Sequence, residues 1–336
     1  MSKMRSWGNV WICAALLLFA AGSATAAEKK VIDLTLGTTG VMDEPTTQGC
    51  QKFADLVKAK SNGAINIKVF PAAQLGTTVQ MVEAVKMGAQ DFVVEQLTWF
   101  QEMDGMSALR YFALPAGFRS VDQAKKFMNS ARGKELQETL RSRHNIRFLD
   151  ATWDRPDRQV ASKKPIYELK DLKGLKIRVP EQELWVGAWK AQGTNPTPIA
   201  WPEVYTAVQQ GVVDAMECPR SSIYNAKIHE QAKYLILTHH SLALISVAMN
   251  EKKFQSLTPD QQKILIAAAK EAGEYGNKLH KADDEGLDEK FKKDGATVIE
   301  IKDLAAFWKP QEAFNLEQEN KGKWPKGLMK EINSIK

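Results

Sequence analysis

Apolar and polar residues alternate with a period of two along residues 32–36 and again along 65–69. This period predicts two half-buried strands. Between them, apolar residues at helical spacing predict a helix that closes at Asn62-Gly63. A second helix ending at Gly88 and a strand over 92–94 follow. This β-α-β-α-β succession predicts a mostly parallel sheet with helices on both faces.

The same pattern restarts in the second half of the chain. Residues 175–179 alternate as a strand, and the segment 206–214 (TAVQQGVVD) matches 83–91 (EAVKMGAQD) at four positions. Each copy predicts the end of a helix, a glycine stop and a short strand, the second over 212–216. One copy in each of two α/β lobes explains the match, and two lobes imply a cleft for a ligand. The apolar run 242–249 predicts a buried strand that returns the chain to the first lobe.

The longest predicted helix lies in the C-terminal third. Thr258-Pro259-Asp260-Gln261 combines a capping Thr, a Pro in the first turn and a Gln three residues after the cap. Apolar or small residues then recur at spacings of three and four, without a strong stop before Asp294-Gly295. A helix of about 37 residues would be roughly 55 Å long, wider than one lobe, so we expect it to lie across both. Two helices broken near Gly273 or Gly276 are the alternative. After Pro310 we expect a short helix and loops.

The N-terminus has the features of a cleavable secretory signal. Lys3 and Arg5 precede an apolar run over 10–21, and Ala24-Thr25-Ala26 places small residues before a cleavage point. The run is shorter than the roughly 20 residues of a membrane span, so an uncleaved anchor is the lesser alternative. We expect a mature protein that starts near Ala27 and is soluble outside the cytoplasm.

Charge and cysteine content limit the possible classes of function. Removal of Lys3 and Arg5 lowers the formal net charge from +6 to +4, and no block of five like charges occurs. Binding to nucleic acid or to a membrane surface therefore has little support. The mature chain keeps only Cys50 and Cys218, too few for a disulfide scaffold or a four-cysteine metal site. One bridge between them is chemically possible. We expect no metal and no cofactor.

The sequence contains no recognisable catalytic motif. G-x-S-x-G, H-E-x-x-H, P-loop and C-x-x-C patterns are missing from it. His239 and His240 are adjacent and would point to opposite faces of a strand, a poor arrangement for a metal. We interpret both as surface or interface residues.

Arg178 is the strongest candidate for a binding residue. It lies on the polar face near the C-terminal end of the strand 175–179, where open α/β sheets bind ligands. Its guanidinium can hold a carboxylate by two parallel hydrogen bonds. A salt bridge between Arg178 and a neighbouring Asp or Glu would explain an arginine at this position equally well.

Several short motifs are specific in combination. They are LKGLKIRVP (172–180), NPTP (195–198) and EVYTAVQQGVVD (203–214), with SNG (61–63) and FPAAQLG (70–76) upstream. Together they resemble the receptor subunit of tripartite ATP-independent periplasmic (TRAP) transporters, of the C4-dicarboxylate-receptor (DctP-like) type. The likeness covers nearly the whole mature chain. It implies a two-lobed α/β periplasmic binding protein fold, with a ligand cleft between the lobes and a long helix spanning both.

The resemblance also implies a set of ligand-binding residues. Arg178 matches the arginine that forms a salt bridge with the ligand's carboxylate, and Arg158 matches a second arginine. Trp201 matches an aromatic position that lines the site, and Glu181 falls where the family often places another pocket residue. Glu95, at the end of the first repeat's strand, could hydrogen-bond a ligand hydroxyl from the opposite lobe.

One departure from the family pattern concerns the ligand. Glu217-Cys218-Pro219 stands where the family commonly has Glu-Asn-Pro, and a thiol is a weaker donor than an amide. A ligand contact at Cys218 is therefore open, and the ligand could differ from the usual dicarboxylate or sialic acid. Trp153, Trp185 and Trp201 would suit a sugar acid, an aromatic acid or a small sulfonate.

The sequence thus predicts a monomeric receptor without a reaction of its own that binds an organic acid anion. The resemblance implies membrane permease subunits as partners and a sodium gradient that drives uptake. A secreted enzyme acting on an organic acid and a receptor for a sensor kinase are the alternatives. Closure would use a hinge near 153–158 and 240–246. The predicted regions are a signal peptide (1–26), a first lobe (27–155 plus 244–283), a second lobe (156–243 plus 284–315) and a tail (316–336).

Overall fold

The computed structural model of the chain describes residues 31–114 and 117–335, so the predicted signal peptide lies outside the described residues. The strands are β1 (Ile32–Gly37), β2 (Ile65–Phe70), β3 (Phe92–Gln96), β4 (Ile146–Arg155), β5 (Arg158–Ser162), β6 (Lys176–Val179), β7 (Asn195–Pro198), β8 (Ala215–Pro219), β9 (Tyr234–Leu237), β10 (Ala243–Asn250) and β11 (Thr297–Glu300). The α-helices are α1 (Pro45–Lys60), α2 (Thr78–Met87), α3 (Val121–Asn129), α4 (Ala131–His144), α5 (Glu183–Ala191), α6 (Val204–Gln209), α7 (Arg220–Asn225), α8 (Glu251–Gln255), α9 (Pro259–Lys293), α10 (Leu304–Asn320) and α11 (Leu328–Ser334).

The strands form two sheets, one in each lobe. The first sheet has the order β2-β1-β3-β10-β4, and the second has the order β11-β9-β5-β8-β6-β7. β1 pairs in parallel with β2 and β3, as predicted, whereas β10 runs antiparallel to β3 and β4. In the second sheet β5 is antiparallel to β8 and β9, and the other pairs are parallel. The predicted α/β two-lobed class is confirmed.

The predicted caps and stops explain where the elements begin and end. The Thr77 side chain accepts from Gln80 N at the start of α2, and Gly88 ends that helix at φ 82°. Gly211 (φ 74°) closes α6 in the same way. β8 begins at Ala215, three residues after the predicted start, because the chain first turns through 212–214.

Helix α9 is continuous over 35 residues, Pro259–Lys293, and Thr258 caps it as predicted. The alternative of two broken helices is therefore wrong. Leu265 and Ala272 pack in the core of the first lobe, whereas Leu287 and Phe291 pack in the core of the second. The helix thus lies across both lobes, as its length required.

Two short segments also carry the chain between the sheets. β4 passes directly into β5, and β9 passes into β10. The segments bond to each other, since Arg158 N donates to Ser241 O (3.1 Å) and His240 N donates to Arg158 O (3.2 Å). These crossings fall where the hinge is predicted. The hinge itself and the lobe boundaries stay predictions.

The C-terminal part is more helical than predicted. α10 runs through Pro310 to Asn320, which was not expected, and the expected loop and short helix follow only after it, at 321–327 and in α11. Trp308 Nε1 donates to Thr238 O (2.9 Å) in the second lobe. Further on, Arg110 Nη1 of the first lobe donates to Lys323 O (2.8 Å). In residues 31–114 and 117–335 no helix has the length and apolar character to cross a membrane.

Candidate ligand-binding site

A cavity lies between the two sheets and is lined from both lobes. Five of the six predicted site residues line it together: Glu95, Arg158, Arg178, Trp201 and Cys218. They come from β3, β5, β6 and β8 and from the start of the turn before α6. The sixth, Glu181, is exposed and is not among the lining residues.

Arg178 is buried, with 3% of its surface exposed, at the end of β6. Its Nε donates to Ile199 O (2.8 Å), and its guanidinium lies 5.7 Å from the ring centroid of Trp201. No carboxylate of the described residues forms an ion pair with it, so the alternative of pairing with an acid is wrong. Burial lowers the pKa of Arg178 to about 10. The residue still carries its charge at neutral pH, and its two terminal nitrogens are free to donate to a ligand.

Arg158 is held differently. Its Nε and Nη2 donate to Glu217 Oε2 (2.5 Å) and Oε1 (2.8 Å), and Nη2 also donates to Glu217 O (3.0 Å). Burial opposes the charge of Glu217, yet the charge of Arg158 and its hydrogen bonds lower the pKa of that carboxyl to about 2. The positive charge of Arg158 is therefore already neutralised by Glu217 without a ligand. Sequence reasoning missed Glu217, although it directly precedes Cys218.

His240 completes this buried network. Its Nε2 lies 3.0 Å from Glu217 Oε2, and its Nδ1 lies 2.9 Å from Thr238 Oγ1. Burial lowers the pKa of His240, so the ring is neutral, donates from Nε2 to Glu217 and accepts at Nδ1. The interpretation of His240 as a surface or interface residue is wrong. His239 is partly exposed and pairs with Asp157.

Arg155, which sequence reasoning also missed, lies beside Cys218. Its Nη2 is 3.3 Å from Ser222 Oγ and 3.9 Å from Cys218 Sγ. With the Gln96 amide oxygen turned toward the arginines, that oxygen accepts from Arg158 Nη1 (3.2 Å) and Arg155 Nε (3.1 Å). The lining thus carries three guanidinium groups against the single carboxylate of Glu95. Cys218 and Cys50 are both free thiols.

Glu95 faces the cavity from the first lobe. It accepts from Thr39 Oγ1 (2.5 Å) and Thr39 N (3.1 Å). Burial raises the pKa of Glu95. A buried carboxylate held by donors on one side can accept further hydrogen bonds from hydroxyl groups in the cavity.

Direct bonds between the lobes close the cleft. Gln101 Nε2 of the first lobe donates to Gln182 Oε1 of the second (3.1 Å), and Ser222 Oγ donates to Glu44 Oε1 (2.6 Å). No group of three or more His, Cys, Asp or Glu side chains able to hold a metal occurs in the part of the chain that the structure describes.

A two-lobed fold with arginines in the cleft is consistent with a solute receptor, and a comparison with known families identifies which one. A family model described as bacterial extracellular solute-binding protein, family 7 (DctP), matches residues 36–317. The chain belongs to that family. It is a periplasmic solute-binding receptor of the TRAP type and not an enzyme, as its sequence predicted.

Relatives in sequence and structure agree with this assignment. The 2,3-diketo-L-gulonate-binding periplasmic protein of Escherichia coli K12 is 31% identical over 307 residues, covering 91% of this chain and 90% of its own. The crystal structure of a TRAP solute-binding protein from Sulfitobacter sp. NAS-14.1 with β-D-galacturonate has a TM-score of 0.82 at 30% identity, covering 90% and 98% of the two chains. A structure from Actinobacillus succinogenes 130Z with L-galactonate has a TM-score of 0.84 at 29% identity, with the same coverage.

Proposed function

We propose that this receptor binds a sugar acid in the cavity between its lobes. Arg178 holds the carboxylate by a bidentate salt bridge, and Arg158 supports it from β5, which is separated from β6 by β8. One observation carries the proposal: Arg178 is a buried guanidinium that faces the cavity, and no acidic residue within 31–114 and 117–335 forms an ion pair with it. An unpaired buried charge is costly, and a bound carboxylate supplies the missing partner.

The other lining residues favour a sugar acid over an aromatic acid or a small sulfonate. Glu95 offers a carboxylate as acceptor for ligand hydroxyls, and Trp201 offers a flat face for the ring or carbon chain of a sugar. Two similar structures contain galacturonate and galactonate. A purely aromatic acid would bring no hydroxyl donor to Glu95 beyond the one that Thr39 already supplies, which disfavours such a ligand.

The receptor delivers its ligand after the two lobes have closed around it. The closed receptor, a monomer that binds no nucleic acid, docks on TRAP membrane permease subunits, and a sodium gradient drives uptake. The crossings at 153–158 and 240–246 act as the hinge while α9 bends or pivots. The interlobe bonds, such as Gln101 to Gln182, form only when the cleft is closed.

Calorimetric titration with D-galacturonate, L-galactonate, benzoate and ethanesulfonate tests the ligand class. We expect one equivalent of a sugar acid to bind and to be recovered unchanged by mass spectrometry, at least 100-fold more tightly than benzoate or the sulfonate. Stronger binding of benzoate or ethanesulfonate would overturn the sugar-acid assignment. Native mass spectrometry of the purified receptor identifies any acid that it retains.

A further inference from the structure

The cavity continues beyond Arg155 into a second compartment. We call it the Glu44 compartment, and the polar side chains that line only this part are Thr38, Glu44, Thr46 and Ser222. Thr39, Glu95, Arg155 and Trp201 line both parts. Arg178 lines the first part alone, so the Glu44 compartment lies away from the proposed carboxylate site.

Glu44 is 4% exposed and has few partners. It lies at the N-cap position of α1, yet its side chain does not cap that helix. Its Oε1 accepts from Ser222 Oγ at 2.6 Å. Among the described residues, none donates a hydrogen bond to Oε2 or forms an ion pair with this carboxylate. A buried carboxylate with one hydroxyl donor requires a further donor.

Gly40 packs tightly against the free oxygen on one side. A Cβ atom on Gly40 would lie 2.7 Å from Glu44 Oε2 and 2.6 Å from Thr47 Oγ1. Any larger residue at position 40 would therefore crowd the free oxygen. Glu44 itself lines the compartment, so a ligand group that enters from the main cavity approaches the carboxylate from there and not from the side of Gly40.

The charges around the compartment select the kind of donor. Two carboxylates, Glu44 and Glu95, and one guanidinium, that of Arg155, line it. Arg155 Nη2 lies 3.3 Å from Ser222 Oγ, the hydroxyl that donates to Glu44, so a cationic ligand group beside Glu44 would lie close to this guanidinium. His280 lies behind Thr46, with Nε2 3.1 Å from Thr46 Oγ1, and burial lowers the pKa of His280 to about 3, so it is uncharged. A neutral hydroxyl satisfies Glu44 without adding a second positive charge beside Arg155.

We infer that Glu44 is a ligand-binding residue, which accepts a hydrogen bond from a hydroxyl at the end of the ligand remote from its carboxylate. This inference rests on the proposed function. It makes Glu44 a determinant of ligand length, because only an acid with hydroxyls on its distal carbons fills both parts of the cavity.

Glu44 also bonds Ser222 across the cleft, so its contact with the ligand must be separated from its contribution to closure. Two acids do so: L-galactonate is a six-carbon acid with a hydroxyl on every carbon except the carboxylate, whereas D-erythronate has the same kind of carboxylate end on a four-carbon chain. A residue that acts only in closure affects both acids alike. A residue that contacts the distal hydroxyls affects the longer acid alone.

The test is a calorimetric titration of the parent and the Glu44→Gln and Glu44→Ala variants with both acids. We expect each variant to bind L-galactonate at least tenfold more weakly and D-erythronate within threefold of the parent. Ser222→Ala removes the bond across the cleft and the contact with Arg155 but keeps the Glu44 carboxylate, and it should change both affinities by a similar factor. The exposed neighbour Asp43 provides the control, since Asp43→Asn should change neither affinity.

An equal loss for both acids in the Glu44 variants, or no loss for L-galactonate, would overturn the inference while the proposed function stands. Failure of the parent to bind either acid overturns the sugar-acid proposal and the inference with it. Thermal melting of each variant without ligand, within about 3 °C of the parent, shows that the comparison is between folded proteins.

Discussion

The carboxylate of Glu217 and the guanidinium of Arg158 form a bidentate ion pair in the second lobe, with side chains 0% and 2% exposed. Glu217 thus neutralises the charge of Arg158, one of the arginines that line the cavity. Arg178 has no such partner among the described residues. The site therefore separates a structural arginine from one that is available to the ligand, and this difference is the basis of the proposed anion selectivity.

Glu217→Gln should destabilise the receptor by about 3–5 kcal/mol, because it leaves the buried guanidinium of Arg158 without its counter-charge. Urea unfolding followed by circular dichroism measures the loss. The exposed Glu181 supplies the matched control, and Glu181→Gln should stay within about 0.5 kcal/mol of the parent. Equal stability of Glu217→Gln and the parent would show that the ion pair contributes nothing to the fold.

The same pair predicts a pH dependence of stability. The pKa of Glu217 is about 2 in the folded receptor against an ordinary value of 4.5. Its contribution is therefore complete above about pH 4.5 and disappears as the pH falls toward 2. Urea midpoints from pH 6 to pH 2.5 should converge for the parent and Glu217→Gln. Curves that stay parallel over this range would contradict the lowered pKa.

We predict that position 273 of α9 requires glycine, because a larger residue would collide with its neighbours. A Cβ atom there would lie 2.3 Å from Cδ1 of Trp153, whose Nε1 donates to Ala269 O at 2.9 Å. Gly273→Ala should cost about 1–3 kcal/mol through overpacking, although alanine favours helices by about 1 kcal/mol. Gly286, in the same helix, has nothing within 4 Å of its Cβ position. Gly286→Ala should therefore raise the stability of the receptor. Thermal unfolding in which Gly273→Ala melted at a higher temperature than Gly286→Ala would refute this packing account.

Local sequence signals predicted much of the fold. The alternation at 32–36 and 65–69 predicted the strands β1 and β2 that the structure contains. The capping motif at Thr258, with no strong stop before Asp294, predicted the helix α9. These signals act between residues close in the chain. Pro310 does not end α10, which continues through it to Asn320, and β8 starts late because Val213, although apolar and buried, lies in the bend before the strand.

The residues that line the candidate site were predicted where a motif marked them and missed where their position depends on distant partners. Arg178 and Cys218 lie in recognisable strand-end motifs. Glu217 bonds Arg158 through the pairing of β5 with β8, and Glu44 bonds Ser222 178 positions away. No local pattern encodes such contacts, which is also why the burial of His240 was not foreseen.

Calorimetric titration of Arg178→Ala with a sugar acid that the parent binds tests the central claim most directly. The variant should lose several kcal/mol of binding free energy, because the ligand's carboxylate would be buried without its counter-charge. Its unfolding should be no less cooperative than that of the parent, since Arg178 has no protein acid to support. An affinity within threefold of the parent would contradict the account, because the carboxylate would then be held elsewhere.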